Sequence, residues 1–276
     1  MKNILIPYDF SEAAINALKY TKKLFEGQKV TIFLLDVYIG ERSYLLSEEH
    51  NQEWFNEMDD EIEDELEYLV DVLNNEGKGF IYHAIVDSNS LTNAVKENII
   101  REKIDLVVSG TKGAKSVAQT FMGTNTIKII NAIDTVPVLV VPTSYKYKAI
   151  DRIIFSTNYK RAFTKAELST LIDFSNMKQC DIEIVNLSVE EALSDKQKEH
   201  KSMLKSLLQG NDTVFKKLDW NDSETNTIQE YIKDSNGQLL VFINHHYSFF
   251  NKLLNENVIK KITFSSSIPL LILPEL

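Results

Sequence analysis

One stretch of this sequence occurs twice, and that recurrence restricts the fold more than any other feature. Thr92-Asn93-Ala94-Val95-Lys96-Glu97-Asn98-Ile99 returns 133 positions on as Thr225-Asn226-Thr227-Ile228-Gln229-Glu230-Tyr231-Ile232. Val136-Pro137-Val138-Leu139-Val140-Val141-Pro142 returns 132 positions on as Ile268-Pro269-Leu270-Leu271-Ile272-Leu273-Pro274. The openings correspond as well, Asn3–Phe10 with Arg152–Tyr159. A period of this size means one supersecondary plan used twice. The 276-residue chain divides at the polar stretch Ser144–Lys148, into a copy over 1–144 and a copy over 149–276.

Within the first copy, short apolar runs alternate with helical patterns. Ile4–Ile6 reads as a buried strand, and Ser11 as the N-cap of a helix running through Phe25, with Gly27 beyond its end. Val30–Val37 is an apolar run, the mark of a strand covered on both faces. Trp54, Met58, Ile62, Leu66, Leu69 and Leu73 step by three or four along one face of a long helix around 50–75. Phe80–Val86 (strand), Leu91–Arg101 (helix), Ile104–Ser109 (strand), Thr124–Ile133 (helix) and Val136–Val141 (strand) complete the unit. Such alternation predicts an α/β fold with a parallel sheet and helices on both faces. The second copy follows the same plan. The closing strands Val136–Val141 and Ile268–Leu273 are apolar, and pairing them within the chain would cover two edges that otherwise invite aggregation.

Composition narrows the compartment and the partners. The net charge of −10 disfavours nonspecific binding to nucleic acid or to an anionic membrane. The single cysteine, Cys180, can form no internal disulfide and reads as an inert buried thiol. No apolar run approaches the ~20 residues of a membrane span, and the N-terminus lacks a leader-like apolar core. The expectation is a cytoplasmic protein. Glu61, Glu63, Asp64, Glu65 and Glu67 spread around the long helix as a solvated face.

The chemistry sits after the fourth strand. Gly110-Thr111-Lys112-Gly113 is followed nine residues later by Gly123-Thr124, which opens a helix: G-x2-G-x9-G-[ST]. Glycines let backbone amides approach phosphate oxygens, and a helix N-terminus favours an anion. Lys112 and Lys115 add positive charge nearby. A turn-only role for the glycines is the competing reading. This spacing, with Pro7-Tyr8-Asp9-Phe10-Ser11, Asp36-Val37 and the closing Val136–Pro142 strand, resembles the ATP-binding signature of the universal stress protein family. The resemblance covers the whole chain, twice. It implies two tandem flavodoxin-like three-layer domains with parallel five-stranded sheets, packed as an intramolecular pseudo-dimer through Val136–Val141 and Ile268–Leu273. It implies that Pro7, Asp9 and Val37 contact ribose and adenine. Ser109, Gly110, Lys112, Gly113, Gly123, Thr124 and Asn125 would then hold the phosphates of ATP, with or without magnesium. For Asp9, a plain role at the helix N-terminus competes with ligand contact, and for Val37, core packing does.

The second copy departs from the pattern. Asn158 stands for Asp9, Asn186-Leu187 for Asp36-Val37, and Asn244-His245-His246-Tyr247 for the glycine loop. Asn255-Glu256 falls near the Gly123-Thr124 position, where Glu256 would repel phosphate. No nucleotide is expected there. Adjacent His245 and His246 lack the companions of a metal site.

Three functions follow: a nucleotide-binding regulator, a slow ATPase or autophosphorylating enzyme, and a scaffold whose glycines are structural. Nothing in the sequence identifies a catalytic base, and whether two chains form a homodimer is open. Dinucleotide-fold and P-loop readings fail, since no G-x-G-x-x-G follows the first strand and no Gly-Lys-Ser/Thr occurs.

Overall fold

The computed structural model describes residues 2–37, 63–111, 124–187, 193–219, 224–244 and 267–276. In chain order the elements are β1 (Lys2–Pro7), α1 (Glu12–Leu24), β2 (Val30–Val37), α2 (63–75), β3 (Phe80–Asp87), α3 (Leu91–Arg101), β4 (Leu106–Thr111), α4 (Thr124–Ala132) and β5 (Val138–Pro142). The second half repeats them as β6 (Arg152–Thr157), α5 (Lys165–Lys178), β7 (Asp181–Leu187), α6 (Asp195–Leu207), β8 (Thr213–Leu218), α7 (Glu224–Ser235), β9 (Leu239–Ile243) and β10 (Leu270–Leu273). Residues 50–62 of the expected long helix, the paired histidines and Asn255-Glu256 lie outside the described residues.

All ten strands join one sheet, in the order β3-β2-β1-β4-β5-β10-β9-β6-β7-β8. Within each half every pairing is parallel. Among the described residues the one antiparallel ladder is the seam, where Leu270, Leu271 and Ile272 face Val140, Leu139 and Val138. The two closing strands therefore pair, and neither is left as an edge. The remaining edges are blunted in different ways. On β3 the Asn74 side-chain amide bonds both backbone groups of Tyr82, at 2.9 and 3.1 Å, as a neighbouring strand would. On β8, Lys216 and Lys217 are exposed.

Helix α1 shows why these residues build this layer. Ser11 caps it by accepting from the Ala14 N–H, and its inner face is Ala13, Ala14, Ala17 and Leu18. Small residues let the helix lie close over β4 and β5. The central strands β5 and β9 are apolar and buried along their whole length, as is the Ile4–Ile6 core of β1, and β4 is buried at every residue but Gly110, as parallel strands with two covered faces must be. Across the seam Phe25 meets Phe174 edge-on at 5.9 Å, and Lys2 pairs with Asp173 at 3.0 Å. The connecting residues 143–151 pack down rather than loop out. Asn16 bonds the carbonyls of Pro142 and Tyr145, and Tyr145 and Tyr147 lie against Tyr20. The Tyr20 hydroxyl is buried without a hydrogen-bond partner among the described residues. Tyr20→Phe should therefore leave the melting temperature unchanged or raise it slightly, because it removes a desolvated group that bonds nothing. A clear drop in a thermal melt would show that the hydroxyl has a partner.

Glu63, Asp64, Glu65 and Glu67 are exposed, as a solvated face requires. Cys180 is buried, and burial pushes its thiol up to about 11, which keeps it protonated and unreactive.

Candidate functional site

The strand order reverses between β1 and β4: from β1 the chain runs outward to β2 and β3, then crosses back to β4. Open α/β sheets take ligands at the carboxyl ends of the strands at such a point. A cleft of about 800 Å³ lies there. Its walls come from the β1–α1 turn, the end of β2, the start of α3, the end of β4 and the first turns of α4.

Of the residues expected from the sequence, Pro7, Asp9, Val37, Ser109, Gly110 and Asn125 line this one cleft. Thr124 begins α4, and its side chain is outside the described residues, as are Lys112, Gly113 and Gly123. Tyr8, Ser11, Asp36, Ser90, Thr92 and Lys128 also face the cleft, and the sequence assigned none of them a ligand contact. Ser90 and Thr92 come from the N-terminus of α3, which sequence spacing leaves far from the glycine loop. The Ser90 side chain makes no capping bond, and neither α3 nor α4 carries an acid in its first turn. Two helix N-termini with no acid in their first turns thus turn positive ends to one space.

Several of these residues have local duties. Asp9 accepts from the Ser11 N–H at 3.2 Å, forming the turn that starts α1. That turn holds Phe10 at φ 55°, a conformation scarce outside glycine. The second half repeats both features, with Asn158 accepting from the Lys160 N–H at 3.0 Å and Tyr159 at φ 55°. The Ser109 hydroxyl is buried and lies 3.2 Å from that of Thr126, which donates to the Gly110 carbonyl at 3.1 Å. Gly110 has a reason of its own. A Cβ built there would fall on the Ala13 carbonyl and lie 3.0 Å from the Ala13 Cβ. It is the glycine that lets α1 seat on β4, whatever else its amide does.

Asp36 stands apart electrostatically. Burial holds its carboxyl above the ordinary range. Asp9 and Glu65 push it further up, against the pull of the Val37 backbone. At the corresponding edge of the second half, side chains occupy the loop carbonyls. Asn186 bonds Thr157 O at 3.1 Å, Gln197 bonds Asn158 O at 2.8 Å, and His200 Nδ1 lies 2.8 Å from Tyr159 O. Asn244, where the glycine loop would begin, instead bonds Ile130 O of α4 across the seam at 3.3 Å.

A doubly wound, flavodoxin-like sheet with a cleft over its order reversal defines the fold class. This chain belongs to the universal stress protein family, whose model matches residues 1–142. Its fold is similar to that of a universal stress protein from Archaeoglobus fulgidus DSM 4304 (14% identity, 99% of this chain and 96% of that one covered, TM-score 0.67). It is also similar to a functionally unknown protein from Pseudomonas aeruginosa PAO1 (11% identity, 99% and 92% covered, TM-score 0.62). A universal stress protein in complex with cAMP matches over 46% of this chain and 98% of its own, at 14% identity and TM-score 0.35. No curated protein matches the sequence. Among the described residues no helix is long and apolar enough to cross a membrane, and no three His, Cys, Asp or Glu side chains cluster as metal ligands.

Proposed function

We propose that this protein is a nucleotide-dependent regulator that binds ATP, with magnesium, in the cleft of its first half, while the second half binds none. The observation that carries this reading is the single cleft into which Pro7, Asp9, Val37, Gly110, Asn125 and the start of α4 converge. It joins a carboxyl-edge pocket to two helix N-termini and Lys128, the chemistry that phosphates need. The chain's glycine spacing from Gly110 to Gly123 then supplies backbone amides for the phosphates. In the second half no glycine stands at the matching positions, and Gln197 and His200 take up the loop carbonyls. ATP acts as a signal by favouring the state that binds it better.

Calorimetric titration with magnesium ATP tests this. One site per chain is expected, weakened at least roughly a hundredfold in a folded Gly113→Val, Gly123→Val variant, since about two phosphate-binding amides are lost at ~1.5 kcal/mol each. Two sites per chain would refute the asymmetry, and no binding at millimolar ATP would refute the function. A product assay on the same sample separates a regulator from an ATPase.

A further inference from the structure

We propose that Asp36 is the residue that selects the sugar, accepting from the free 2′- and 3′-hydroxyls of a ribonucleotide and excluding ligands that lack or block them. This rests on the nucleotide reading above and adds a role that the glycine signature does not contain.

Asp36 is half-buried at the end of β2, in the wall of the cleft. Among the described residues no cation pairs with it, the charges that reach it, Asp9 and Glu65, share its sign, and the Val37 backbone N–H is the contact that favours its charge. The other acids of this edge are engaged in turns: Asp9 takes the Ser11 N–H and Asp87 the Asn89 N–H at 2.8 Å. A carboxylate kept partly desolvated beside like charges destabilises the empty protein, so its use lies with the ligand. It can only accept, and it has two oxygens. In dinucleotide-binding doubly wound sheets, a different glycine pattern on a related topology, an acid takes a ribose hydroxyl at the carboxyl edge. Here β2 runs beside β1 in register, with Pro7 opposite Leu35 and the Tyr8 N–H bonding Leu35 O at 2.7 Å. That register sets Asp36 next to the β1–α1 turn. Lys128 and the first turn of α4 line the same cleft from the β4 side. The cleft is therefore polar in one sense, acidic at the β2 side for a diol and positive at the α4 side for phosphate. A 3′,5′-cyclic phosphate would bring its anion to the acidic side.

The test uses the full chain and four ligands: ATP, 2′-deoxy-ATP, AMP and 3′,5′-cyclic AMP. The wild type is expected to bind ATP roughly ten- to a hundredfold more tightly than 2′-deoxy-ATP, the worth of one hydrogen bond to a charged acceptor. It should prefer AMP to cyclic AMP in the same direction. In Asp36→Asn both gaps should close to within about threefold, while the ligand-free protein melts about 2–4 °C higher because the strained charge is gone. Equal wild-type affinity for ATP and 2′-deoxy-ATP would overturn the assignment and leave nucleotide binding standing. If none of the four binds, the nucleotide reading fails and the assignment with it. A variant that melts lower and weakens all four alike would make Asp36 structural, which also overturns the proposal.

Discussion

Gly110→Ala is expected to destabilise the ligand-free protein by about 3 kcal/mol or more, lowering its melting temperature by about 10 °C. The new methyl would occupy the Ala13 carbonyl. Neither side can yield easily. Ala13 is fixed in the first turn of α1 behind the Ser11 cap, and Gly110 is held in β4 by its pairing with Val141 and by Thr126 on its carbonyl. Relief requires sliding a helix off the sheet it covers. Gly27 makes the control. At φ 83° it has open space around it, so Gly27→Ala should cost only the strain of that backbone, about 1 kcal/mol. A thermal melt without nucleotide decides the matter. If Gly110→Ala melts like the wild type, the glycine serves only the ligand.

The second large effect is expected from Arg161→Met. Glu167 has a fully buried side chain, and Arg161 donates to it at 2.6 Å, alongside the Thr164 N–H at 2.7 Å and the Leu276 N–H at 3.2 Å. Burial pushes the Glu167 carboxyl up, but Arg161 and these N–H groups together hold it below its ordinary value. Its contribution is thus fully present above the unfolded-state pKa of about 4.3 and is lost as pH falls through the lower folded value. Without the guanidinium a buried charge stands poorly compensated, at about 3–5 kcal/mol. Arg161 also reaches the Ala162 carbonyl, Glu275 and the Phe163 ring, so part of the loss is not electrostatic. The electrostatic part has a signature. In the variant, burial dominates and raises the Glu167 pKa, so the deficit shrinks as the sample is taken from pH 7 to pH 5. Adding Glu167→Gln should also recover part of it. Urea melts at the two pH values check both statements. A deficit under 1 kcal/mol, or one indifferent to pH, contradicts this account of Arg161.

Much of the architecture was legible in the residues. The run Val30–Val37 is a strand over that span, and Leu91–Arg101 is a helix over that span, because an apolar run interrupted only at Thr31 and Asp36 and a 3.6 period report burial directly. The seam was legible too, since two apolar terminal strands need a partner and each other's edge supplies it. Boundaries slipped where burial and pairing part company. The expected strand Ile104–Ser109 lies over Leu106–Thr111, because Ile104 still closes the end of α3 by bonding Ile99 O. In the cleft, the motif residues were found because glycines and a proline-led turn leave a local pattern. Asp36, Ser90 and Thr92 were missed as wall residues, because only the sheet order brings the end of β2 and the start of α3 to the same cleft as the end of β4. Gly110 carried two meanings that spacing cannot separate, a close approach by a ligand and a close approach by Ala13. Phe10 in a left-handed turn was hidden because aromatic residues seldom adopt it, and the same geometry at Tyr159 shows it to be part of the repeated plan.

The antiparallel seam has an inheritance attached to it. Two identical subunits joined edge to edge would carry every mutation twice, so a change that spoiled one ligand loop would spoil both. Here nine residues separate β5 from β6 on the same chain. A tether that short keeps the partner strand at an effective concentration on the order of millimolar, so the pairing does not dissolve on dilution. The halves can therefore change independently while remaining partners. One keeps its glycines and the other exchanges them for Asn244 and a bond into its neighbour's α4. Fusion turns a symmetric assembly into one in which specialisation can be selected in a single step.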